Sequence, residues 1–197
     1  MCKPYLIIIT GRPGSGKSSL ARALGQRLCL PVISRDELKE GYVHTFGKSH
    51  AELPAETNKI VSELFFQTVN MLVAANVSLI AEAAFQHRVW EPYLNLLQEK
   101  TRMTILICST TDDQTTMVRL INRGLNDPQH AYFHGDGDIG LARQGGIIEP
   151  APYAEPHLAV PTIRIDTTGV YNPSLEELRK IIFKSADDQL GPMEERM

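Results

Sequence analysis

With 197 residues, 43% hydrophobic and 22% charged, the chain has the composition of one ordinary globular domain, which excludes disordered and fibrous classes. A formal net charge of −3 offers no general attraction to nucleic acid or an anionic membrane, and no apolar run approaches the ~20 residues of a membrane helix. Cys2, Cys29 and Cys108 are odd in number and lack metal spacing. Cys29 and Cys108 lie in apolar runs and read as buried thiols, with a reducing cytoplasm as the expected setting. No signal peptide is expected, because Met1-Cys2-Lys3-Pro4 leads straight into a core strand.

Strand and helix patterns alternate along the chain. Residues 5–10 form a β-branched apolar run, and 17–28 carry helical spacing through Leu20, Leu24 and Leu28. A short strand at 31–34 precedes a long helix at 55–76 and a third strand at 77–81. An amphipathic helix at 89–100, a strand at 103–109, a helix at 112–123 and a strand at 162–166 follow. A helix at 174–185 closes the pattern, with Ser174-Leu175-Glu176-Glu177 matching a capping box. Five short strands separated by helices predict an α/β fold, a parallel sheet covered on both faces. Residues 124–161 break the alternation and are too long for an idle connection, so they read as an active-site lid. Residues 1–187 thus form a single domain, and 188–197 read as a flexible tail.

The strongest local signal is Gly11-Arg12-Pro13-Gly14-Ser15-Gly16-Lys17-Ser18, followed by Ser19. It fits G-x-x-x-x-G-K-[ST] and sits where a strand turns into a helix. Glycines let backbone N–H groups crowd around phosphate oxygens, Lys17 reaches the terminal phosphates, and the Ser18 hydroxyl suits Mg²⁺. A bound nucleoside triphosphate, ATP, is the reading. A base-reading N-K-x-D motif is missing, since Asn58-Lys59 continues as Ile60-Val61, so a small phosphotransferase fits better than a GTPase.

Just past the second strand stands Ser34-Arg35-Asp36-Glu37-Leu38-Lys39. In an open parallel sheet, ligands collect at the carboxyl ends of the strands, which places Asp36 on the edge that carries the phosphate loop. A carboxylate there can accept a hydroxyl proton; the plainer alternative is a helix N-cap. Arg35 and Lys39 either hold an anionic substrate or form a solvated basic turn. Glu82, ending the third strand, either holds a Mg²⁺-bound water or substrate hydroxyl or pairs with Arg88. Arg119 and Arg123 lie one helical turn apart beside the insertion, where Arg123 can grip phosphate oxygens. His130, His134, Asp136 and Asp138 cluster in the insertion as metal ligands, substrate contacts or solvated loop. Phe85, Trp90 and Tyr93 either shape an acceptor pocket or, as aromatics at helical spacing more often do, belong to the core.

At these residues the chain resembles the small P-loop kinases typified by the kinase domain of bacteriophage polynucleotide kinase, with zeta toxins and antibiotic-phosphorylating kinases as relatives. The resemblance rests on the phosphate loop, Ser34-Arg35-Asp36-Glu37, Ile80-Ala81-Glu82-Ala83-Ala84-Phe85-Gln86, Arg119-Leu120-Ile121-Asn122-Arg123-Gly124 and Ile165-Asp166-Thr167-Thr168. It implies a three-layer P-loop sandwich with a lid and an ATP- and Mg²⁺-dependent kinase. In that family the acid matching Asp36 is the general base, and the arginine matching Arg123 contacts the transferring phosphates. The arginine matching Arg119 packs on the adenine, near which the segment matching 166–168 passes. The chain departs from the polynucleotide kinase pattern at Lys39, where that pattern has Arg, and at Glu82-Ala83-Ala84, where it has Asp-Thr-Asn. The expected acceptor is therefore a hydroxyl on a small-molecule or nucleoside-like compound. A polynucleotide 5′ end is less favoured, and a non-catalytic ATP-dependent binding module is the rival class.

Overall fold

In a computed structural model that describes residues 2–110, 112–127, 129–135, 137–144, 148 and 152–187, five strands form one all-parallel sheet. The strands are β1 (Tyr5–Gly11), β2 (Val32–Ser34), β3 (Leu79–Glu82), β4 (Arg102–Ser109) and β5 (Thr162–Asp166), in spatial order β2-β3-β1-β4-β5. The helices are α1 (Lys17–Leu28), α2 (Arg35–Phe46), α3 (Thr57–Ala74), α4 (His87–Leu97), α5 (Asp113–Asn126), α6 (His130–His134), α7 (Gly137–Arg143) and α8 (Leu175–Asp187), with a 3₁₀ turn at His50–Glu52. The proposed tail, residues 188–197, lies outside the described residues.

The central strand shows how the layers arise. Leu6, Ile7, Ile8 and Ile9 are all fully buried, and successive side chains alternate between the two faces. Leu6 and Ile8 join Phe65, Phe66, Val69, Trp90 and Leu94 under α3 and α4. Ile7 and Ile9 join Leu20, Leu24, Leu178 and Ile182 under α1 and α8. Strands buried on both faces read as continuous apolar runs, which is why the expected strands and the observed ones nearly coincide. Phe85, Trp90 and Tyr93 are core, as read: Tyr93 stacks on Phe66 with ring centroids 3.6 Å apart, and Phe85 lies 5.3 Å from Trp90.

Some expectations are corrected. The short helix offered as an alternative past the second strand is a twelve-residue helix α2, whose apolar pattern is too sparse to show its length. Cys29 is exposed, not buried, because it caps α1 in the left-handed conformation (φ 55°) and turns its side chain off the core face. Cys108 is buried, and burial pushes its thiol up to about 12. The insertion contains α6 and α7. Its return is stapled to the start of α4: His87 N donates to the Ala154 carbonyl at 2.8 Å, and the Tyr153 hydroxyl sits 2.7 Å from Thr10 Oγ1. The Trp90 indole donates to the same Thr10 oxygen at 3.0 Å. No helix among the described residues is long and apolar enough to cross a membrane.

Candidate active site

The carboxyl ends of the strands gather the chemistry on one edge of the sheet, as the topology of an open parallel sheet requires. β1 runs into the loop 11–18, β2 into Asp36, β3 ends at Glu82, and β5 leads to Thr167. Two glycines show why the loop needs them. Gly11 (φ +145°) lies where a Cβ would come within 2.4 Å of the Cys108 carbonyl, and Gly14 (φ +84°) where it would meet the Thr116 carbonyl at 2.2 Å. Arg12 pairs with Asp113 at 3.2 Å, and Pro13 is exposed at the loop crest. Gly16 forms the N-cap of α1 with no side-chain bond. That helix start presents unsatisfied N–H groups to the loop interior, which is how such a terminus attracts an anion.

Lys17 is 7% exposed and donates to the Arg12 carbonyl at 2.8 Å. Burial pushes its pKa down, while the charges of Glu82 and Asp36 pull it back up and Arg123 adds to the lowering. Four of the residues singled out in the sequence therefore share one electrostatic neighbourhood. A cavity of about 360 Å³ opens beside it. Gly14, Gly16, Lys17, Ser18 and Ser19 form its floor, and Arg119 and Arg123 of α5 form one wall. Thr167 and Tyr171, after β5, form the other. A larger hollow of about 490 Å³, around Tyr5, Arg102 and Pro161, lies at the opposite, amino-terminal edge of the sheet, away from these groups.

The nucleotide-side walls are tied to the loop. The Thr167 hydroxyl lies 2.7 Å from the Ser15 carbonyl and 2.8 Å from that of Ser109. Arg119 donates to the carbonyls of Thr167 and Thr168 at 3.0 and 2.5 Å. Arg119 thus spends both terminal nitrogens on the loop after β5, a role no sequence pattern announces. Ser15 Oγ is buried with no partner among the described residues.

On the other side, Ser34 rather than Asp36 caps α2, accepting from Glu37 N at 3.5 Å. The parallel register sets Ser34 beside Glu82, and the Ser34 hydroxyl donates to Glu82 Oε2 at 2.8 Å. Glu82, 2% exposed, is thus partnered by Ser34 and not by Arg88; burial raises its pKa, and Lys17 opposes the rise. Asp36 is half exposed and pairs with Arg35 at 3.3 Å. Lys39 is no solvated turn: it is 3% exposed, and burial, with Arg35 beside it, lowers its pKa to about 8.

In the insertion, His134 bonds Glu40 at 3.0 Å and α6 packs against α2 and the 3₁₀ turn. Asp136 lies outside the described residues, and no group of three or more His, Cys, Asp or Glu able to hold a metal ion occurs among those described. The donor set suits Mg²⁺ nonetheless, since that ion binds through one or two protein oxygens and nucleotide phosphates. Ser18, lining the cavity floor, and Glu82 are the oxygens available for it.

A family model described as an AAA domain matches residues 6–134. The chain belongs to this AAA-domain family. A curated relative, shikimate kinase of Rhodopirellula baltica, is 41% identical over 58 residues, a match spanning 29% of this chain and 29% of that protein. A crystal structure of a candidate kinase from Chloroflexus aurantiacus superposes with TM-score 0.67 at 26% identity, covering 98% of this chain and 100% of that one. The APS kinase CysC of Mycobacterium tuberculosis, in complex with AMPPNP and APS, superposes with TM-score 0.56 at 17% identity over 93% of this chain and 98% of that one. At that identity the likeness is one of fold. This AAA domain therefore has a P-loop kinase fold, with a nucleotide-binding loop among kinase-named neighbours.

Proposed function

We propose that this AAA domain is an ATP- and Mg²⁺-dependent kinase that transfers the γ-phosphoryl group to a hydroxyl of a small-molecule or nucleoside-like acceptor. The observation that carries the reading is the placing of Asp36 within electrostatic reach of the buried Lys17, at the carboxyl ends of β2 and β1, the two strands that flank β3. A loop that only holds nucleotide needs no carboxylate opposite its lysine. A transferase does, because the acceptor oxygen must shed a proton as it attacks.

The roles follow from position. The loop amides and Lys17 hold the β- and γ-phosphates, with Ser18 the residue that would hold Mg²⁺. Mg²⁺, when bound, neutralises charge on the phosphates. Asp36 takes the hydroxyl proton, the acceptor oxygen bonds to the γ-phosphorus, and the bond from that phosphorus to the β–γ bridging oxygen breaks, releasing ADP. Arg123 neutralises charge on the transferring group from α5. Arg119 and Thr167 shape the wall for the base and ribose. Arg35 and Lys39 face the acceptor, and residues 124–161 act as the lid that excludes water during transfer. Neighbours named as shikimate, APS and gluconate kinases support a small alcohol as the acceptor class. A polynucleotide acceptor is the weaker reading at a net charge of −3.

The test is a screen for transfer of labelled phosphate from ATP to sugars, nucleosides, antibiotics and 5′-hydroxyl oligonucleotides. Asp36→Asn is expected to lower turnover of the best acceptor by about 10²–10⁴-fold with nucleotide affinity nearly unchanged. Normal turnover by that variant would remove Asp36 from the mechanism. ATP-dependent capture of a protein partner without any labelled acceptor would favour the binding module.

A further inference from the structure

The segment that returns from the insertion meets the phosphate loop through one phenol. Tyr153 Oη lies 2.7 Å from Thr10 Oγ1 and donates to the Phe85 carbonyl at 3.1 Å. Thr10 Oγ1 also receives the Trp90 indole N–H at 3.0 Å. A carbonyl only accepts, so Tyr153 spends its one proton on Phe85 and Thr10 donates in turn to Tyr153. Trp90, Thr10, Tyr153 and Phe85 thus form a directed chain in which each hydrogen is used once. Burial pushes the Tyr153 phenol up, with Thr10 and the Gly11 backbone N–H opposing the rise.

The partners of this hydroxyl come from three parts of the molecule. Thr10 and Gly11 close β1, where the phosphate loop begins. Phe85 lies three residues past Glu82, in the turn that follows β3. Tyr153 belongs to the return, which is tied to that same turn independently. Gln86 Nε2 donates to the Pro152 carbonyl at 3.3 Å, His87 N to that of Ala154 at 2.8 Å, and His157 N to His87 Nδ1 at 3.1 Å. Lys17 spans the gap so defined, donating to the Arg12 carbonyl on the loop and feeling the charge of Glu82. Packing alone does not fix the phenol ring, because two hollows of about 190 Å³ each are lined by Tyr153 with Arg12, Asp113 and Thr116. Its hydroxyl bonds do.

Resting on the kinase reading above, we propose that Tyr153 is a positioning residue for phosphoryl transfer. Its hydroxyl is the spacer between the start of the phosphate loop and the turn after Glu82, and so sets where Lys17 and Glu82 stand against the terminal phosphate. Without that hydroxyl, Thr10 Oγ1, already 3.3 Å from the Phe85 carbonyl, becomes the carbonyl's donor and draws the turn toward β1. Every buried group keeps a partner, so the fold survives while the spacing shortens. Small displacements of reacting groups cost rate rather than stability. The cavity that would take the nucleotide is lined by other residues, among them Lys17, Ser18, Arg119 and Thr167, so nucleotide affinity does not depend on the spacer.

Turnover of ATP to ADP by the full chain with Mg²⁺ is measured alone and with the best acceptor of the screen, for the wild type, Tyr153→Phe, Thr10→Val and the double variant. Tyr153→Phe is expected to lower kcat about tenfold, the worth of one hydrogen bond realised in the transition state. KM for ATP is expected to stay within about twofold of the wild type, and Tm within about 4 °C. Thr10→Val is expected to lose at least as much kcat, and the double variant no more than Thr10→Val alone, since both changes break the same bond. Thr10→Ser, which keeps the hydroxyl, is expected to restore most of the rate lost in Thr10→Val. Unchanged kcat in Tyr153→Phe overturns the proposal, as do losses that multiply in the double variant. A rise in KM for ATP with kcat unchanged also overturns it, because the phenol would then hold the nucleotide cavity. A wild type that hydrolyses ATP but labels no acceptor sinks the kinase reading, and the tenfold loss read in hydrolysis still supports the spacer. Labelling of an acceptor at the wild-type rate by Tyr153→Phe does the reverse, and a wild type that makes no ADP at all overturns both.

Discussion

The two halves of the cleft are finished to different degrees. On the nucleotide side the polar groups bond largely to one another: Lys17 to the Arg12 carbonyl, Arg119 to Thr167 and Thr168, Thr167 to Ser15 and Ser109. On the α2 side, Arg35 Nε, His50 Nδ1 and His130 Nδ1 are buried without partners among the described residues, and Lys39 is 3% exposed beside them. A surface that must bind one common ligand can be preassembled by backbone amides and short bonds. A surface that selects a particular acceptor keeps donors in reserve, because specificity comes from groups left unpaired when the wrong molecule enters.

The comparison is broken hardest at Gly14. A Cβ there meets the Thr116 carbonyl at 2.2 Å in a backbone conformation that side chains disfavour, so Gly14→Ala must push α5 away from the loop. Nucleotide affinity is expected to fall about a hundredfold or more, roughly the loss of two charge-assisted bonds, read by titration with an ATP analogue. Unchanged affinity would mean that the loop and α5 are not coupled as the geometry shows.

A milder change sharpens it. Arg119→Lys keeps the charge but loses the fork that spans Thr167 and Thr168. Nucleotide Kd is expected to rise by about tenfold, the cost of one charge-assisted bond, with acceptor KM at saturating nucleotide little altered. Equal damage to both would show that the two halves are one unit.

The smallest effect is in pH. Lys39 carries a pKa lowered to about 8 by burial and by Arg35, with Asp36 opposing; His50 and His134, with their own partner Glu40, are the other titratable groups around it. The ammonium is charged at neutral pH and is lost above about 8. Acceptor KM is therefore expected to rise across pH 8–9. Because the folded pKa lies below the ordinary 10.5, the unfolded chain binds more protons between those values. Stability of the free protein should accordingly rise with pH through that window. A Tm that falls across it would contradict the burial of Lys39.

The five strands, the phosphate loop and the sequence order of Lys17, Asp36, Glu82, Arg119 and Arg123 were legible from residue types, because each depends on local rules. Buried strands must be apolar runs, and a phosphate loop must have glycine where a Cβ would strike a carbonyl. The sequence offered a helix past the second strand only as a short alternative capped by Asp36, because the inner face of α2 carries Lys39 and its buried apolar positions are few, so periodicity had little to detect. The exposure of Cys29, the bond from Ser34 to Glu82 and the burial of Lys39 belong to the assembled molecule. The exposure of Cys29 follows from the left-handed turn that ends α1, and the other two from which segment of chain lies across from the residue. A linear pattern records which groups are present; which of them find partners is settled only when the layers close.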